Sequence, residues 1–307
     1  MDLVKLKPVL SMKPKSVKRS KRITILRRLT QLAFLVFILI ASLRHNLLPE
    51  TAGTASLDAL CPFGGLETFW RYLTQGAYIP KTHLSNLVLG LGLFLGTLIA
   101  GAAFCGWICP FGSLQDGLTW LRTHLKLPEI HVPDRLDAIL RYGRYLLLAL
   151  ILFKTISTVK LWFGDYDPYR TVFSLGWWFE FNLAEQWPAY VVALVVLLAS
   201  FFIPRAWCKY ACPLGGALSL LNRFSLLSIR RSTPACKNCR LCEAPCPVGI
   251  QVAKARPNVS PDCIGCLECV ETCPRAGALQ VMLFPVWVER LAKLVRRMRH
   301  PAPVSGD

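Results

Sequence analysis

Two cysteine runs with the same spacing stand near the end of the chain. The first run reads Cys236-x2-Cys239-x2-Cys242-x3-Cys246-Pro247, and the second reads Cys263-x2-Cys266-x2-Cys269-x3-Cys273-Pro274. This is the spacing of bacterial ferredoxins, in which the close triplet surrounds one cubane and the fourth cysteine of each run binds the other. The runs therefore predict two [4Fe-4S] clusters. The ligands of one are Cys236, Cys239, Cys242 and Cys273, and those of the other are Cys263, Cys266, Cys269 and Cys246.

Zinc and disulfides are the alternatives for so many thiols. A zinc site is complete with four thiolates, so eight in this exchanged arrangement favour two cubanes. Disulfides belong to oxidising compartments, and most of the 13 cysteines follow metal-type spacings instead. Two clusters held close together in one small module let an electron pass from one to the other. The chemistry predicted is therefore electron transfer.

A second pair of motifs has the form Cys-x3-Cys-Pro. Helical residues four apart share a face, so each motif offers two sulfurs where an apolar segment ends, and the following proline redirects the chain. Because the motif occurs twice, at Pro110 and at Pro213, an internal repeat is predicted to place the two copies side by side. The candidate extra metal site consists of Cys105, Cys109, Cys208 and Cys212. A redox-active thiol pair, a docking surface and inert packing remain open.

Three weaker candidates lie between the apolar segments. Cys61 begins a Cys-Pro-Phe-Gly-Gly segment but is a single thiol, which favours a structural role. The loop 165–170, Asp-Tyr-Asp-Pro-Tyr-Arg, has suitable side chains for a quinol pocket, and an ordinary interfacial loop explains it equally well. His45 and His83 could contact a haem or a quinol, but nothing pairs them within a span. Both histidines are therefore interpreted as interfacial.

Apolar segments must position these motifs. The chain has 307 residues, 53% of them hydrophobic, with a mean hydropathy of +0.41 and a formal charge of +18. A bilayer core about 30 Å thick needs about 20 apolar residues in helical form. Four segments qualify, from Ile23 to Leu43, Leu84 to Phe104, Ile139 to Phe163 and Trp187 to Ile203. The fold class predicted is an α-helical integral membrane protein with four transmembrane helices and a small α+β dicluster ferredoxin-like module on the C-terminal side.

Lys and Arg concentrate beside these spans, and their positions predict the orientation. Cytoplasmic flanks hold the excess of positive charge, and here the N-terminal tail, the segment after the second span and the part after Ile203 are basic. Both termini and the ferredoxin module are therefore predicted on the cytoplasmic side of a bacterial inner membrane. Arg27 and Arg28, at the edge of the first span, are expected to reach the lipid headgroups.

Five domains or segments are predicted. They are a basic tail (1–22), a four-helix membrane domain (23–204), a linker (205–232), a 2x[4Fe-4S] ferredoxin domain (233–281) and a basic amphipathic tail (282–307). In the last tail, one helix side would carry Trp287, Leu291, Leu294 and Met298. Such a helix lies on the membrane interface or forms a solvated tail.

Several function classes find no support in the residues. The basic N-terminal tail has no aromatic side chain on which a base could stack, so nucleic acid is not expected as a partner. No serine elbow, Walker loop or His-Glu zinc motif is present, which leaves redox chemistry as the only catalysis predicted. The absence of Cys-x2-Cys-His removes covalent c-type haem.

The four spans, the motifs at Cys105 and Cys208 and the two cysteine runs, in that order, resemble the polyferredoxin-type quinol dehydrogenase membrane components typified by NapH. The MauN-type ferredoxin proteins and the membrane half of NosR regulators are related. The resemblance spans most of the chain and implies oxidation of membrane quinol, with electrons passed to a periplasmic or membrane-bound acceptor. The flavin-type domain of NosR relatives and the C-terminal domain of CcoG-type relatives are not expected here, which favours the NapH-like branch. Cys61 is not part of the pattern expected for that branch.

The leading hypothesis is a membrane-bound iron-sulfur protein that passes electrons from the quinone pool, through two [4Fe-4S] clusters, to or from a redox partner protein. One alternative is a maturation factor that handles a metal such as copper with the four membrane-edge thiols. Another is a redox-sensing regulator. The residues leave open whether the chain is itself an enzyme or the quinol dehydrogenase subunit of an oxidoreductase complex.

Overall fold

The computed structural model describes residues 22–48, 61–76, 84–158, 162–179, 181–254, 260–275 and 277–283. His83, the basic N-terminal tail and the amphipathic C-terminal segment with Trp287, Leu291, Leu294 and Met298 lie outside the described residues. Most of the described chain is helical, as predicted. The helices are α1 (Arg22–Leu47), α2 (Pro62–Gln75), α3 (Leu84–Ala100), α4 (Ala103–Trp107), α5 (Pro110–His124), α6 (Asp134–Leu140), α7 (Gly143–Thr158), α8 (Pro168–Phe173), α9 (Gly176–Phe179), α10 (Leu183–Phe202), α11 (Ala206–Tyr210), α12 (Pro213–Leu221) and α13 (Glu268–Thr272). The strands are β1 (Ser228–Arg231) and β2 (Leu279–Met282), and 3-10 turns occupy Trp162–Asp165, Asn222–Phe224 and Val252–Lys254.

Helices α1 and α10 are the two long apolar helices of the fold. By length and composition both could cross a bilayer. Only 17% of the apolar window of either helix is buried, which distinguishes them from the core helix of a soluble protein. Their exposed side chains include Leu29, Phe37 and Leu194. These two helices indicate a membrane protein.

Helices α3 and α7 are apolar but shorter than the predicted spans. They contain 17 and 16 residues, which corresponds to about 25 Å each at 1.5 Å per residue. Helix α3 ends before Gly101, whose φ of 68° lies in the left-handed region and turns the chain into α4. The third predicted span starts at Ile139, yet α6 ends at Leu140 and the chain becomes helical again at Gly143. Two of the four predicted spans are therefore found at full length, and the other two stay a prediction.

The unit of α3, α4 and α5 is repeated by α10, α11 and α12. In each unit, an apolar helix is followed by a five-residue helix and then by a helix that starts with proline. The second cysteine of each motif is the N-cap of that last helix, with φ and ψ of −60° and 115° at Cys109 and −66° and 113° at Cys212. Proline suits the first helical position because its missing N–H would have no intrahelical partner there. The sequence repeat is thus also a repeat of local structure.

Helix α2 begins in the same way, with Cys61 as N-cap and Pro62 as first residue. Gly65 lets α2 approach α3 closely, since a Cβ atom at this position would lie 2.1 Å from the carbonyl oxygen of Asn86. Toward α7, the hydroxyl of Thr155 donates a hydrogen bond of 2.9 Å to the buried Glu67. The short helix is therefore held between two of the apolar helices.

Strands β1 and β2 close the eight-cysteine module as an antiparallel pair, with Ile229 opposite Val281. The buried core of the module combines apolar side chains such as Val252 and Ile264 with several of the cysteines. The segment predicted as a linker (205–232) contains α11, α12 and β1. Its helices complete the repeat and its strand belongs to the module, so regular structure continues from the helical part into the module.

Candidate iron-sulfur and thiol sites

The two cysteine triplets lie on loops with the same backbone course. In both loops, the residues directly before and after the middle cysteine are left-handed, with φ of 52° at Asn238 and 58° at Arg240 in the first loop, and 62° at Gly265 and 61° at Leu267 in the second. Three of these four residues are not glycine. For a residue other than glycine, the left-handed conformation costs about 1 kcal/mol or more. Such strain persists only where the surroundings impose it, and it is typical of sites that hold a ligand.

Cysteines from different runs meet in the module. Cys242 of the first run and Cys273 of the second lie in one buried core, and Cys246 of the first run and Cys263 of the second pack against it. A small cavity is lined by all four cysteines of one predicted ligand set, namely Cys236, Cys239, Cys242 and Cys273. These contacts are the ones on which the exchanged ligand assignment depends.

The donor set fits cubanes better than single ions. Among the residues that the structure describes, no three His, Cys, Asp or Glu side chains lie close enough together to hold one metal ion. A zinc site needs its four ligands around one ion. A cubane has four irons and four cysteines, so its thiolates lie around a larger body. The eight thiols, several of them buried in the module core, are compatible with two [4Fe-4S] clusters.

The second cysteine loop lies directly against helix α4. A Cβ atom on Gly106 would stand 2.3 Å from the carbonyl oxygen of Ile264, so only glycine permits this approach. The indole of Trp107 donates a hydrogen bond of 3.0 Å to the carbonyl oxygen of Gly265. Cys105, the first thiol of the Cys-x3-Cys-Pro motifs, packs against the core of the module. The module is therefore in direct contact with the first of these motifs.

A buried charge network reinforces this contact. Asp116 of α5 accepts two hydrogen bonds of 2.7 Å from Arg205, which is fully buried, and a further one from Arg27 of α1. Arg27 also pairs with Glu268 of α13 in the module. Burial by itself would raise the pKa of the Asp116 carboxyl, but the two arginines outweigh it and hold this pKa at about 2. One ionised carboxylate thereby connects both halves of the repeat with α1.

Sequence reasoning missed this network. The expectation that Arg27 reaches the lipid headgroups is wrong, because its side chain is only 4% exposed and is bound by carboxylates from two elements. A signal was present in the chain itself: Asp116 is the only acidic residue between Glu67 and Glu129. An isolated acid in a basic flank, next to a cysteine motif, is a candidate for a buried ion pair.

A second polar joint attaches the module to the start of α7. Asp262, next to the first cysteine of the second run, pairs with Arg144 and, at 3.2 Å, with Arg141. Arg141 also donates a hydrogen bond of 2.7 Å to the carbonyl oxygen of Val248. The side-chain amide of Asn222 donates to the carbonyl oxygen of Pro261 at 2.6 Å. Basic residues that indicated orientation in the sequence therefore also attach the module.

The structure brings thiols from both Cys-x3-Cys-Pro motifs to one place. Cys109, Cys208 and Cys212 line the same cavity, and Cys105 lies in α4, one turn before Cys109. Burial raises the pKa of all four thiols, that of Cys109 to about 11. At neutral pH they are therefore protonated, and a metal ion would have to displace these protons on binding.

Two of these sulfurs accept hydrogen bonds from buried donors. The side-chain amide of Gln115, which is completely buried, donates to the Cys208 sulfur at 3.1 Å. The backbone N–H of Gly215 donates to the Cys212 sulfur at 3.3 Å. Gln115 in turn accepts a hydrogen bond of 3.1 Å from Ser200 of α10. These thiols thus have defined polar partners as well as apolar packing.

An apolar cavity of about 540 Å³ opens beside the four thiols. A volume of this size is typical of sites for small organic molecules. Its lining includes aromatic residues of α1, Gly92 and Gly96 of α3, and the thiols of Cys109, Cys208 and Cys212. Cys61, interpreted from sequence as a single structural thiol, lines the same cavity.

Of the remaining candidates, the loop 165–170 and His45, the structure brings only part of the loop to the cavity. From the loop 165–170, Asp167 and Tyr169 line the cavity. Asp165 instead has a side chain that is 80% exposed, where it pairs with Arg170 at 3.5 Å. His45 lies in the last turn of α1 and is not among the residues that line the cavity. The loop therefore contributes to the cavity with only part of its polar side chains.

A family model described as a 4Fe-4S binding domain matches the chain twice, at residues 82–128 and 186–234. These two ranges coincide with the two structural repeats, and each contains one Cys-x3-Cys-Pro motif. No solved structure matches the chain.

Several sequences are similar to this chain. YccM of Escherichia coli is 29% identical over 76% of the chain and 65% of its own length. NirI of Paracoccus denitrificans is 32% identical over 73% of the chain and 30% of its own length. The ferredoxin-type protein NapH of Haemophilus influenzae is 30% identical over 62% of the chain and 67% of its own length. The chain thus spans less than two thirds of YccM and about a third of NirI.

Proposed function

The chain belongs to the polyferredoxin-type family of NapH, MauN and NosR, and from this premise we propose that it takes electrons from membrane quinol and passes them through two [4Fe-4S] clusters to a redox partner. Iron-sulfur electron transport is the common property of this family. The quinol, the number of clusters and the path between them are the parts that we propose.

The cavity beside the thiols is the observation that supports quinol most directly. It has a mainly apolar lining, as a quinol ring with a hydrocarbon tail requires, and its polar side chains include Asp167 and Tyr169. Part of its wall is formed by Gly92 and Gly96 of α3, where a side chain would meet open space. A quinol from the bilayer would enter past these glycines and reach the polar groups.

A route from the cavity to the clusters follows from the contacts. The cavity borders Cys109 and Cys208, and their motif partner Cys105 packs against the module core. The cluster held by the second loop would therefore receive the electron first. The ligands proposed for this cluster are Cys263, Cys266, Cys269 and Cys246. The second cluster, with Cys236, Cys239, Cys242 and Cys273, lies in the same small module and would pass the electron on.

The membrane arrangement belongs to the same proposal. Four transmembrane helices, α1, α3, α7 and α10 with their flanking turns, would hold the cavity within the inner membrane. The basic flanks support a cytoplasmic position for both termini and for the module. The quinone pool and lipid would then be partners within the membrane, and a redox protein would be the partner outside it.

Anaerobic EPR of the purified full chain tests the proposal. We expect about eight irons per chain and a reduced-cubane signal on addition of quinol. Filling the cavity should block that reaction, so Gly96→Leu should slow quinol-driven reduction by about tenfold or more. Reduction by dithionite should be unchanged, because a small soluble reductant does not use the cavity.

A matched variant controls for the added side chain. Gly117 of α5 also faces open space but does not line the cavity, so Gly117→Leu should reduce with quinol at the normal rate. Equal rates in Gly96→Leu and the unmodified protein would contradict quinol oxidation in this cavity. Iron content near eight with no response to quinol in any variant would contradict quinol as the donor.

A second candidate function rests on the four thiols of the Cys-x3-Cys-Pro motifs. Three of them line one cavity, and two accept hydrogen bonds from buried donors, which supports a role in handling or reducing a soft metal such as copper. Because no three thiols among the described residues lie within reach of one ion, a bound metal would have to draw them together. In that case, Cys208→Ser with Cys212→Ser should abolish tight binding of Cu(I) by the full chain and leave the iron content unchanged. Copper binding that is equal in this variant and in the unmodified protein would exclude the metal-handling function.

A further inference from the structure

The two predicted clusters differ in how far they are covered. All 13 cysteines lie among the described residues, and Cys239 is the one that is exposed. The other two cysteines of its loop are Cys236, which is half-buried, and Cys242, which is buried. The other loop, with the buried Cys266, lies against Gly106 and Trp107 of α4. A protein partner could therefore approach the cluster of Cys239 more closely than the other cluster.

Positive side chains surround the exposed cluster. The cavity of this ligand set is lined by four basic residues, which we call the basic rim: Arg231, Lys237, Arg240 and Arg275. The last three are exposed. Arg231 donates a hydrogen bond to the side-chain oxygen of Asn238, which keeps it beside the loop.

Negative charge does not balance the basic rim. Within the part of the chain that the structure describes, none of the four residues forms an ion pair with a carboxylate. Glu243, the acidic residue of the first cysteine run, instead accepts a hydrogen bond of 3.0 Å from the backbone N–H of Ala253. The rim therefore presents a local positive field at the place where the cluster reaches the surface.

We propose that the basic rim is the docking surface for an acidic redox protein that exchanges electrons with the cluster of Cys236, Cys239, Cys242 and Cys273. The proposal rests on the electron-transfer function proposed above and specifies the partner by its charge. Complementary charge brings such a partner to the surface faster and orients its redox centre toward Cys239. In the step itself, one electron leaves the reduced cubane and reduces the acceptor, and no bond is formed or broken.

The protein partner is favoured over an anionic lipid surface by the place of the rim in the module. The contacts that attach the module to the helical part come from the other loop, from Asp262 and Glu268, and from Val248 just after the first cysteine run. The basic rim belongs to the first loop and to the turn after Cys273. The basic rim surrounds the predicted cluster, and a lipid headgroup cannot exchange electrons with a cluster.

Stopped-flow kinetics with the full chain tests the docking surface. The clusters are reduced with dithionite, so quinol plays no part and a failure of the quinol proposal cannot be mistaken for a failure of this one. The probes are a soluble acidic cytochrome b5 and a basic cytochrome c, whose haem absorption reports the electron received. We expect the acidic probe to react faster at low salt. Its rate should fall by about tenfold or more as the ionic strength rises from about 20 to about 300 mM.

Charge reversal provides the decisive comparison. Lys237→Glu with Arg275→Glu should slow the reaction with the acidic probe about tenfold at low salt and should remove most of its salt dependence. The control, Arg135→Glu with Arg223→Glu, changes the net charge by the same amount at exposed positions outside the rim and should react normally. Iron content and the EPR signal of the reduced clusters show whether each variant keeps its clusters.

Four results would overturn the proposal. One is a rate with the acidic probe that does not depend on salt. The second is a rim variant that reacts like the control, and the third is a basic probe that reacts as fast as the acidic one. The fourth is loss of binding to phosphatidylserine vesicles in the rim variant with unchanged cytochrome kinetics, which would assign the rim to the membrane surface.

Discussion

Asp116 shows how one side chain determines the attachment of the module. Its carboxylate is bound by the buried Arg205 and by Arg27, and Arg205 also donates a hydrogen bond of 2.7 Å to the carbonyl oxygen of Cys105. Removing a carboxylate from such a group leaves buried cations without a counter-charge, which is costly. The residue therefore matters more for stability than an exposed ion pair would.

Asp116→Asn should destabilise the protein by about 3 kcal/mol or more. The asparagine keeps the shape but removes the negative charge that faces Arg205 and Arg27. Thermal unfolding of the detergent-solubilised protein measures the effect, with Asp165→Asn, at a largely exposed ion pair, as the control. Similar midpoints for the two variants would show that the network does not stabilise the fold.

The pH dependence of this interaction follows from its pKa. The carboxyl of Asp116 has a pKa of about 2 in the folded protein, below its ordinary value of 3.8. The folded state therefore binds this proton less readily than the unfolded state, and the stabilisation is fully present above about pH 4 and is lost as the pH falls toward 2. Between pH 6 and pH 8 the difference in midpoint between Asp116→Asn and the unmodified protein should thus be constant. A difference in midpoint that changes between pH 6 and pH 8 would show that the effect depends on another titrating group.

At the scale of elements, the contact between α4 and the second cysteine loop connects the helical part with the iron-sulfur module. The five-residue helix α4 follows the apolar helix of the first unit. Gly106, which has no side chain, lies directly against the carbonyl group of Ile264. Trp107 then bonds to the following residue of the loop. Backbone-to-backbone contact of this kind leaves no flexible atom that could give way.

Gly106→Ala should separate these two elements. Its Cβ atom would lie 2.3 Å from a carbonyl oxygen, so α4 or the loop must shift. We expect intact clusters but a slower electron transfer from quinol, together with easier proteolytic release of the module. The control is Gly117→Ala, where an added Cβ meets nothing within 4 Å. Unchanged kinetics and proteolysis in Gly106→Ala would contradict the contact.

At the scale of the whole molecule, the proposed orientation places the cavity loop and the module on opposite sides of the membrane. Asp165 has a side chain that is 80% exposed and belongs to the loop predicted to face outward. Arg135 is exposed on α6, which follows the first unit of the repeat and is predicted to face the cytoplasm. The two positions therefore report the two sides.

Labelling with a membrane-impermeant maleimide tests this arrangement. In intact spheroplasts, Asp165→Cys should be labelled and Arg135→Cys should not, whereas both should react after permeabilisation. The physical reason is that the charged reagent cannot cross the bilayer core. The unmodified protein controls for its own cysteines. Labelling of Arg135→Cys in intact spheroplasts, or of both positions alike, would exclude the proposed topology.

The family, the helical class and the local form of the cysteine motifs could all be predicted from the residues of the chain. These properties depend on short-range patterns: the spacing of Cys236 to Cys246 and of Cys263 to Cys273 carries the ferredoxin ligand prediction, and the proline after Cys109 and after Cys212 takes the first position of a helix. The lengths of the apolar runs predicted α1 and α10 at full length. The same rule overestimated α3 and α7, because it does not contain the turn at Gly101 or the break before Gly143.

Which distant residues meet could not be predicted and became visible in the packed structure. Cys61 joins Cys109 and Cys208 around one cavity, although a single cysteine between apolar segments carried no such signal. Asp116 forms ion pairs with Arg205 and Arg27 because three elements that lie far apart in the chain pack together. Contacts of this kind depend on how helices are placed relative to one another, and that placement results from the summed packing of many side chains and not from any local spacing.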